Sequence, residues 1–131
     1  GRDVIFDFAK SLSFEGDSGP YLQYTYARAK SVLVKANFGS EKANLENLEL
    51  SDTVRLLARF PEIVARASAT YSPQLVLGYL LGLASSFNAF YAQNKIIGSE
   101  EESSRLALTS AVAQVLKNGL WLLGIAAPEK M

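Results

Sequence analysis

The sequence predicts an all-α protein, an antiparallel-rich bundle of about five helices with a short strand or connector at its N-terminus. Three observations predict it. Apolar residues make up 49% of the 131 residues, enough to bury a sizeable core in one domain. From residue 20 onward they recur at the three- and four-residue spacing of helices. The breaks between these runs carry helix start and stop residues at short intervals, so successive helices must fold back on one another.

Residues 3–8, DVIFDF, alternate weakly and fit a short strand or a connector, though DFAKSL equally begins a helical turn. Residues 1–17 are therefore assigned to a connector and 18–131 to a helical domain. EGDSG is a turn. A first helix runs from Pro20 to Ala36, with Ser18 or Gly19 as N-cap and Pro20 at the first helical position. Residues 37–50 form an acidic loop. Ser51 or Asp52 caps a second helix through Phe60, which Pro61 ends or kinks. Glu62 and Arg66 are spaced to pair on a short third helix. Ser72-Pro73 opens a long helix reaching Asn94. Ser99 and Glu102 form a capping box, and Glu100 to Glu102 suit the positive end of the next helix dipole. That helix stops at Asn118-Gly119. WLLGI then packs as an apolar tail, with Trp121 as a core lid.

Composition narrows the function. The chain has no cysteine and no histidine, which excludes disulfides, thiolate metal sites and imidazole or thiol nucleophile pairs. GDSG lacks the lysine of a phosphate loop. No catalytic residue, metal ligand or cofactor-binding residue is expected. Thirteen basic and thirteen acidic residues cancel, unlike a generic nucleic-acid binder. Their distribution is uneven, however. Residues 18–40 hold Arg28, Lys30 and Lys35 and no acid, and residues 63–99 hold Arg66 and Lys95 and no acid. A neutral chain arranged this way can still present a basic face.

Residues 67–94 carry no charge, and Gly78 and Gly82 form a GxxxG pair. A membrane span with a dimerisation face would read so. Polar residues such as Gln74, Ser85, Ser86 and Asn88 interrupt the run, and a central buried helix fits better. Its glycines would let neighbouring helices approach. No membrane partner is expected.

Residues 14–28, FEGDSGPYLQYTYAR, are the most informative. On a helix, Tyr21, Tyr24, Arg28, Ser31 and Lys35 fall on one narrow stripe, and Leu22, Tyr26, Ala29, Leu33 and Ala36 fall on another. The second stripe is a core face. The first mixes aromatic rings, which stack bases, with cations, which neutralise phosphate. That combination suits single-stranded nucleic acid.

FEGDSGPYLQYTYAR also closely resembles a signature of arginyl-tRNA synthetases, at the join between the catalytic core and the C-terminal helical anticodon-binding domain of DALR type. LALTSAVAQVLKNGLWLLGIAAPEKM, residues 106–131, is similar to the C-terminus of that family, which often closes on a Pro-Glu-basic-Met ending. Tyr26 stands where the family commonly has histidine, and Phe87 where it has tyrosine. Motifs of the HIGH and KMSK type are absent. The resemblance implies a fragment, cut at Gly1 and native at Met131, whose residues 1–17 remain from an upstream catalytic domain. It implies anticodon recognition on an arginine tRNA, with Tyr21, Tyr24, Phe87 and Met131 contacting bases and Arg28 and Lys35 holding phosphates. Phe87, Phe90 and Tyr91 read equally as core aromatics. The parent would be a cytoplasmic arginine–tRNA ligase using ATP and Mg; the fragment itself would be a monomer, inactive and without cofactor. The rival readings are a tRNA adaptor outside any synthetase and a plain helical protein-interaction module.

Overall fold

A computed structural model describes residues 17–39 and 51–131. These residues form five helices: α1 (Ser18–Lys35), α2 (Asp52–Ala58), α3 (Phe60–Thr70), α4 (Pro73–Gln93) and α5 (Glu102–Leu122). No strand occurs among the described residues. The expected strand at 3–8 and most of the acidic loop lie outside them.

Helix α4 stands in the middle of the bundle and packs against the other four. Its Leu80, Leu83 and Phe87 are fully buried, at the spacing of one helix face. They meet Leu22, Tyr26 and Ala29 of α1 and Val112, Leu116 and Leu120 of α5, which are also buried. The expected core stripe of α1 is thus the one that is buried. By length and composition α4 could cross a membrane; its place among four neighbours is that of a core helix.

Helices α1 and α5 run antiparallel. Ser110, early in α5, lies beside Lys30, Val34 and Asn37 at the end of α1. The chain leaving α5 instead meets Gln23, near the start of α1. Close approach is secured by Gly119 rather than by the GxxxG pair. A Cβ at Gly119 would lie 2.6 Å from both Cδ atoms of Leu80, whereas Gly78 and Gly82 have open space around them. The expectation that Gly78 and Gly82 bring helices together is corrected. Both sit on the exposed side of α4, opposite the leucines that define its buried face.

Several boundaries also differ from the sequence reading. Helix α1 begins at Ser18, with Asp17 as N-cap, so Pro20 lies within the first turn, where an N–H has no intrahelical partner anyway. Ser51 caps α2 as expected, its Oγ accepting from the Val54 N–H at 3.3 Å. Pro61 opens α3 rather than ending α2. Glu62 turns back to Arg59, 3.1 Å away, instead of pairing with Arg66. The expected capping box does not form: Glu101 is the N-cap, the Glu102 carboxylate accepts from the Gly98 N–H at 2.9 Å, and the Ser99 hydroxyl donates to the Ile96 carbonyl.

Asn118-Gly119 does not stop α5, which continues to Leu122. Gly124, at φ +71°, ends it. The Gly124 N–H donates to the Trp121 carbonyl and the Ile125 N–H to the Leu120 carbonyl, the paired bonds of a Schellman ending. The extra turn carries Trp121 outward. Trp121 is 77% exposed and is not a core lid.

Candidate nucleic-acid interface

After Gly124 the chain folds back along α1. Gln23 Nε2 donates to the Ala126 carbonyl at 2.9 Å, and Lys30 Nζ stands 3.7 Å from the Glu129 carboxylate. These two contacts bring the C-terminal residues alongside the exposed stripe of α1. Tyr24, Ala27, Arg28 and Ser31 together with Glu129, Lys130 and Met131 line a groove of about 590 Å³. Tyr24 and Met131 are each 59% exposed. The groove therefore offers a phenol ring and a thioether as apolar surfaces, with a guanidinium and an ammonium beside them.

The Arg28 guanidinium is held from two sides. Its Nη1 donates to Asn88 Oδ1 at 2.6 Å, and its carbon lies 4.8 Å from the centre of the Tyr91 ring, within cation–π range. The Asn88 amide nitrogen donates to the Tyr21 hydroxyl at 3.1 Å and to Thr25 Oγ1 at 2.9 Å. Thr25 in turn donates to the Tyr21 carbonyl. One amide on α4 thus fixes a cation and a tyrosine of α1 in a set relation. Its own donor and acceptor capacity is used on both ends.

Glu129 is the one acid among the described residues lining the groove, and Lys30 offsets it. Beneath the groove the Tyr26 phenol is held above its usual pKa, first by burial and then by the Glu129 charge, so it stays neutral.

A family model described as the DALR anticodon binding domain matches residues 22–131. The chain belongs to that family. The DALR domain is 46% identical over 132 residues to an arginine–tRNA ligase of Streptococcus pneumoniae strain Hungary19A-6, covering 96% of this chain and 23% of that protein. The Thermus thermophilus arginyl-tRNA synthetase superposes with a TM-score of 0.74 at 38% identity, covering 92% of this chain and 22% of that one. A Campylobacter jejuni chain assigned as an arginyl-tRNA synthetase superposes with a TM-score of 0.79 at 33% identity, covering 88% and 27%. This chain spans about a quarter of the length of these relatives.

Within the DALR domain, the residues expected at the site divide into three groups. Tyr24, Arg28 and Met131 meet at the groove. Tyr21 is 37% exposed and joins through Asn88; Lys35 lies further along α1, in a second cleft with Tyr91. Phe87 is the correction. It is fully buried and packs against the Phe90 and Tyr91 rings, with centroids 6.4 and 6.3 Å away. It supports Tyr91 from below and presents no surface to a base. Asn88 and Tyr91 are the residues that the sequence reading missed as site members. For Tyr91 the signal was its place one turn after Phe87; Asn88 carried none, and only the docking of α4 on α1 gives either a role.

Proposed function

We propose that this domain reads the anticodon loop of an arginine tRNA as part of an arginine–tRNA ligase. The observation that carries the proposal is the convergence of Tyr24, Arg28 and Met131 on one groove from opposite ends of the chain. Single-stranded loops expose bases that can be splayed out and stacked on aromatic side chains. A base placed in the groove would meet the Tyr24 ring on one side and the Met131 thioether on the other, a polarizable surface that demands no hydrogen bond. Arg28 would take the adjoining phosphate, and Lys35 a phosphate farther along. In this reading the domain is monomeric and cytoplasmic and holds no cofactor. An upstream catalytic domain of the same protein supplies ATP and Mg chemistry and joins arginine to the tRNA.

The test is titration of the chain with an anticodon stem-loop of an arginine tRNA and with the same stem-loop changed at the middle anticodon base. The account expects weaker binding of the changed loop, and a loss of that discrimination when Met131 is deleted. Equal affinity for both loops would reject base reading by the groove.

A further inference from the structure

The second cleft has a composition that the groove does not explain. Val32, Lys35, Tyr91, Asn94, Lys95, Ile96 and Ile97 enclose about 310 Å³. No acid lines it. Among the described residues neither the Lys35 nor the Lys95 ammonium has an ionic or hydrogen-bonding partner. Two cations on one apolar-floored cleft have no counter-charge among the described residues to offset them. They gain when an anion enters between them.

Position says which anion. Tyr91 is shared: its ring carries the Arg28 guanidinium on the groove side and walls the second cleft. The groove and the cleft are therefore consecutive stations along α1, from Tyr24 to Lys35. At about 1.5 Å per helical residue this distance is ~16 Å. Stacked nucleotides rise about 3.4 Å each, so a strand held at Tyr24 has ample length to reach Lys95.

We propose that Lys35 and Lys95 form a second phosphate-binding subsite, which takes a phosphodiester of the same RNA strand, outside the nucleotide seated in the groove. This inference rests on the anticodon-loop reading and extends it. The cleft neutralises backbone charge without reading sequence, and Ile96 and Ile97 give the sugar an apolar floor. The backbone at Lys95 is anchored independently of its ammonium, because its carbonyl accepts from Arg105 Nη1 at 2.6 Å. Removing the ammonium therefore leaves the local fold in place.

The experiment titrates the 131-residue chain with an arginine anticodon stem-loop in which one loop phosphate at a time is a neutral methylphosphonate. Lys95→Ala is the test variant. Lys117→Ala is the control, an exposed lysine outside the groove and the cleft. One methylphosphonate should weaken binding by the wild-type chain and cost less in Lys95→Ala, where Lys35 alone faces that phosphate. With a single-strand slope of about 0.7 per contact, a fourfold dilution of salt should raise wild-type affinity roughly 2.6-fold more than that of Lys95→Ala. Lys95→Arg should restore the slope. Methylphosphonate costs that are the same in Lys95→Ala as in wild type, or an equal loss of slope in Lys117→Ala, would overturn the subsite while leaving the groove standing. Failure of the wild-type chain to bind the unmodified loop would overturn both.

Discussion

Arg28 and Asn88 lie 60 residues apart in sequence and meet through a 2.6 Å hydrogen bond that ties the exposed face of α1 to α4. The same amide reaches Tyr21 and Thr25. Asn88→Ala should therefore weaken stem-loop binding more than its effect on folding would suggest. The lost, half-exposed hydrogen bonds should cost about 1–2 kcal/mol of stability, read from urea unfolding. Arg28 would then lose one of its two supports while keeping its charge. A variant that binds as tightly as wild type would show that Arg28 needs no such positioning.

Tyr24 and Phe87 should behave in opposite ways. Tyr24 is mostly exposed and Phe87 fully buried. Tyr24→Ala should weaken stem-loop affinity by roughly 1–3 kcal/mol, the usual range for a stacked base, with little change in unfolding. Phe87→Ala should instead cost about 3–5 kcal/mol of stability. Denaturant unfolding and fluorescence titration of the same two variants check both halves. A Tyr24→Ala variant that unfolds, or one that binds normally, contradicts the assignment.

The glycines give a stability test that the sequence alone would have placed wrongly. Gly119→Ala puts a methyl within 2.6 Å of a fully buried Leu80. Overpacking of that kind costs about 1–3 kcal/mol, and the gain in helix propensity, about 1 kcal/mol, offsets only part of it. Gly78→Ala and Gly82→Ala meet open space and should each stabilise by about 0.5–1 kcal/mol. Thermal melting of the three variants should give one drop and two rises.

What the sequence made legible was local. Helix number, the buried stripe Leu22, Tyr26, Ala29 and Leu33, and the exposed stripe Tyr21, Tyr24, Arg28 and Lys35 all follow from periodicity within one segment. The errors came where a residue's role depends on how segments dock. Spacing puts Gly78 and Gly82 on one face of α4 but does not say that this face points to solvent. Asn118-Gly119 reads as a stop, yet the glycine is there because Leu80 needs the room. Trp121 looks like core by size; one further turn of α5 rotates it past the face that Leu116 and Leu120 occupy. Asn88 sits in a long uncharged run, and nothing local marks it as the partner of a cation on another helix.

Tyr79 predicts a pH dependence. Burial pushes its phenol up to about 12, with the Arg59 charge opposing the shift, and its hydroxyl donates to the Leu56 carbonyl at 2.6 Å. A folded pKa above the unfolded value of about 10 means that the unfolded chain loses its proton first. The neutral phenol's contribution is therefore complete below about pH 10 and is lost as pH rises toward 12, up to roughly 2–3 kcal/mol. Urea unfolding between pH 9 and 11.5 should show this decline, and Tyr79→Phe should flatten it. A wild-type slope no steeper than that of Tyr79→Phe would contradict the assignment.

The most direct test of the groove is an NMR titration of the isotopically labelled chain with an arginine anticodon stem-loop. The account predicts that the largest backbone and side-chain shifts fall at Tyr24, Arg28 and Ser31 of α1, Asn88 and Tyr91 of α4, and Glu129 to Met131. Resonances of Trp121 and Tyr71, which are exposed but lie outside the groove, should stay in place. Shifts concentrated at Trp121 or Tyr71, with Tyr24 and Met131 unmoved, would contradict the central claim.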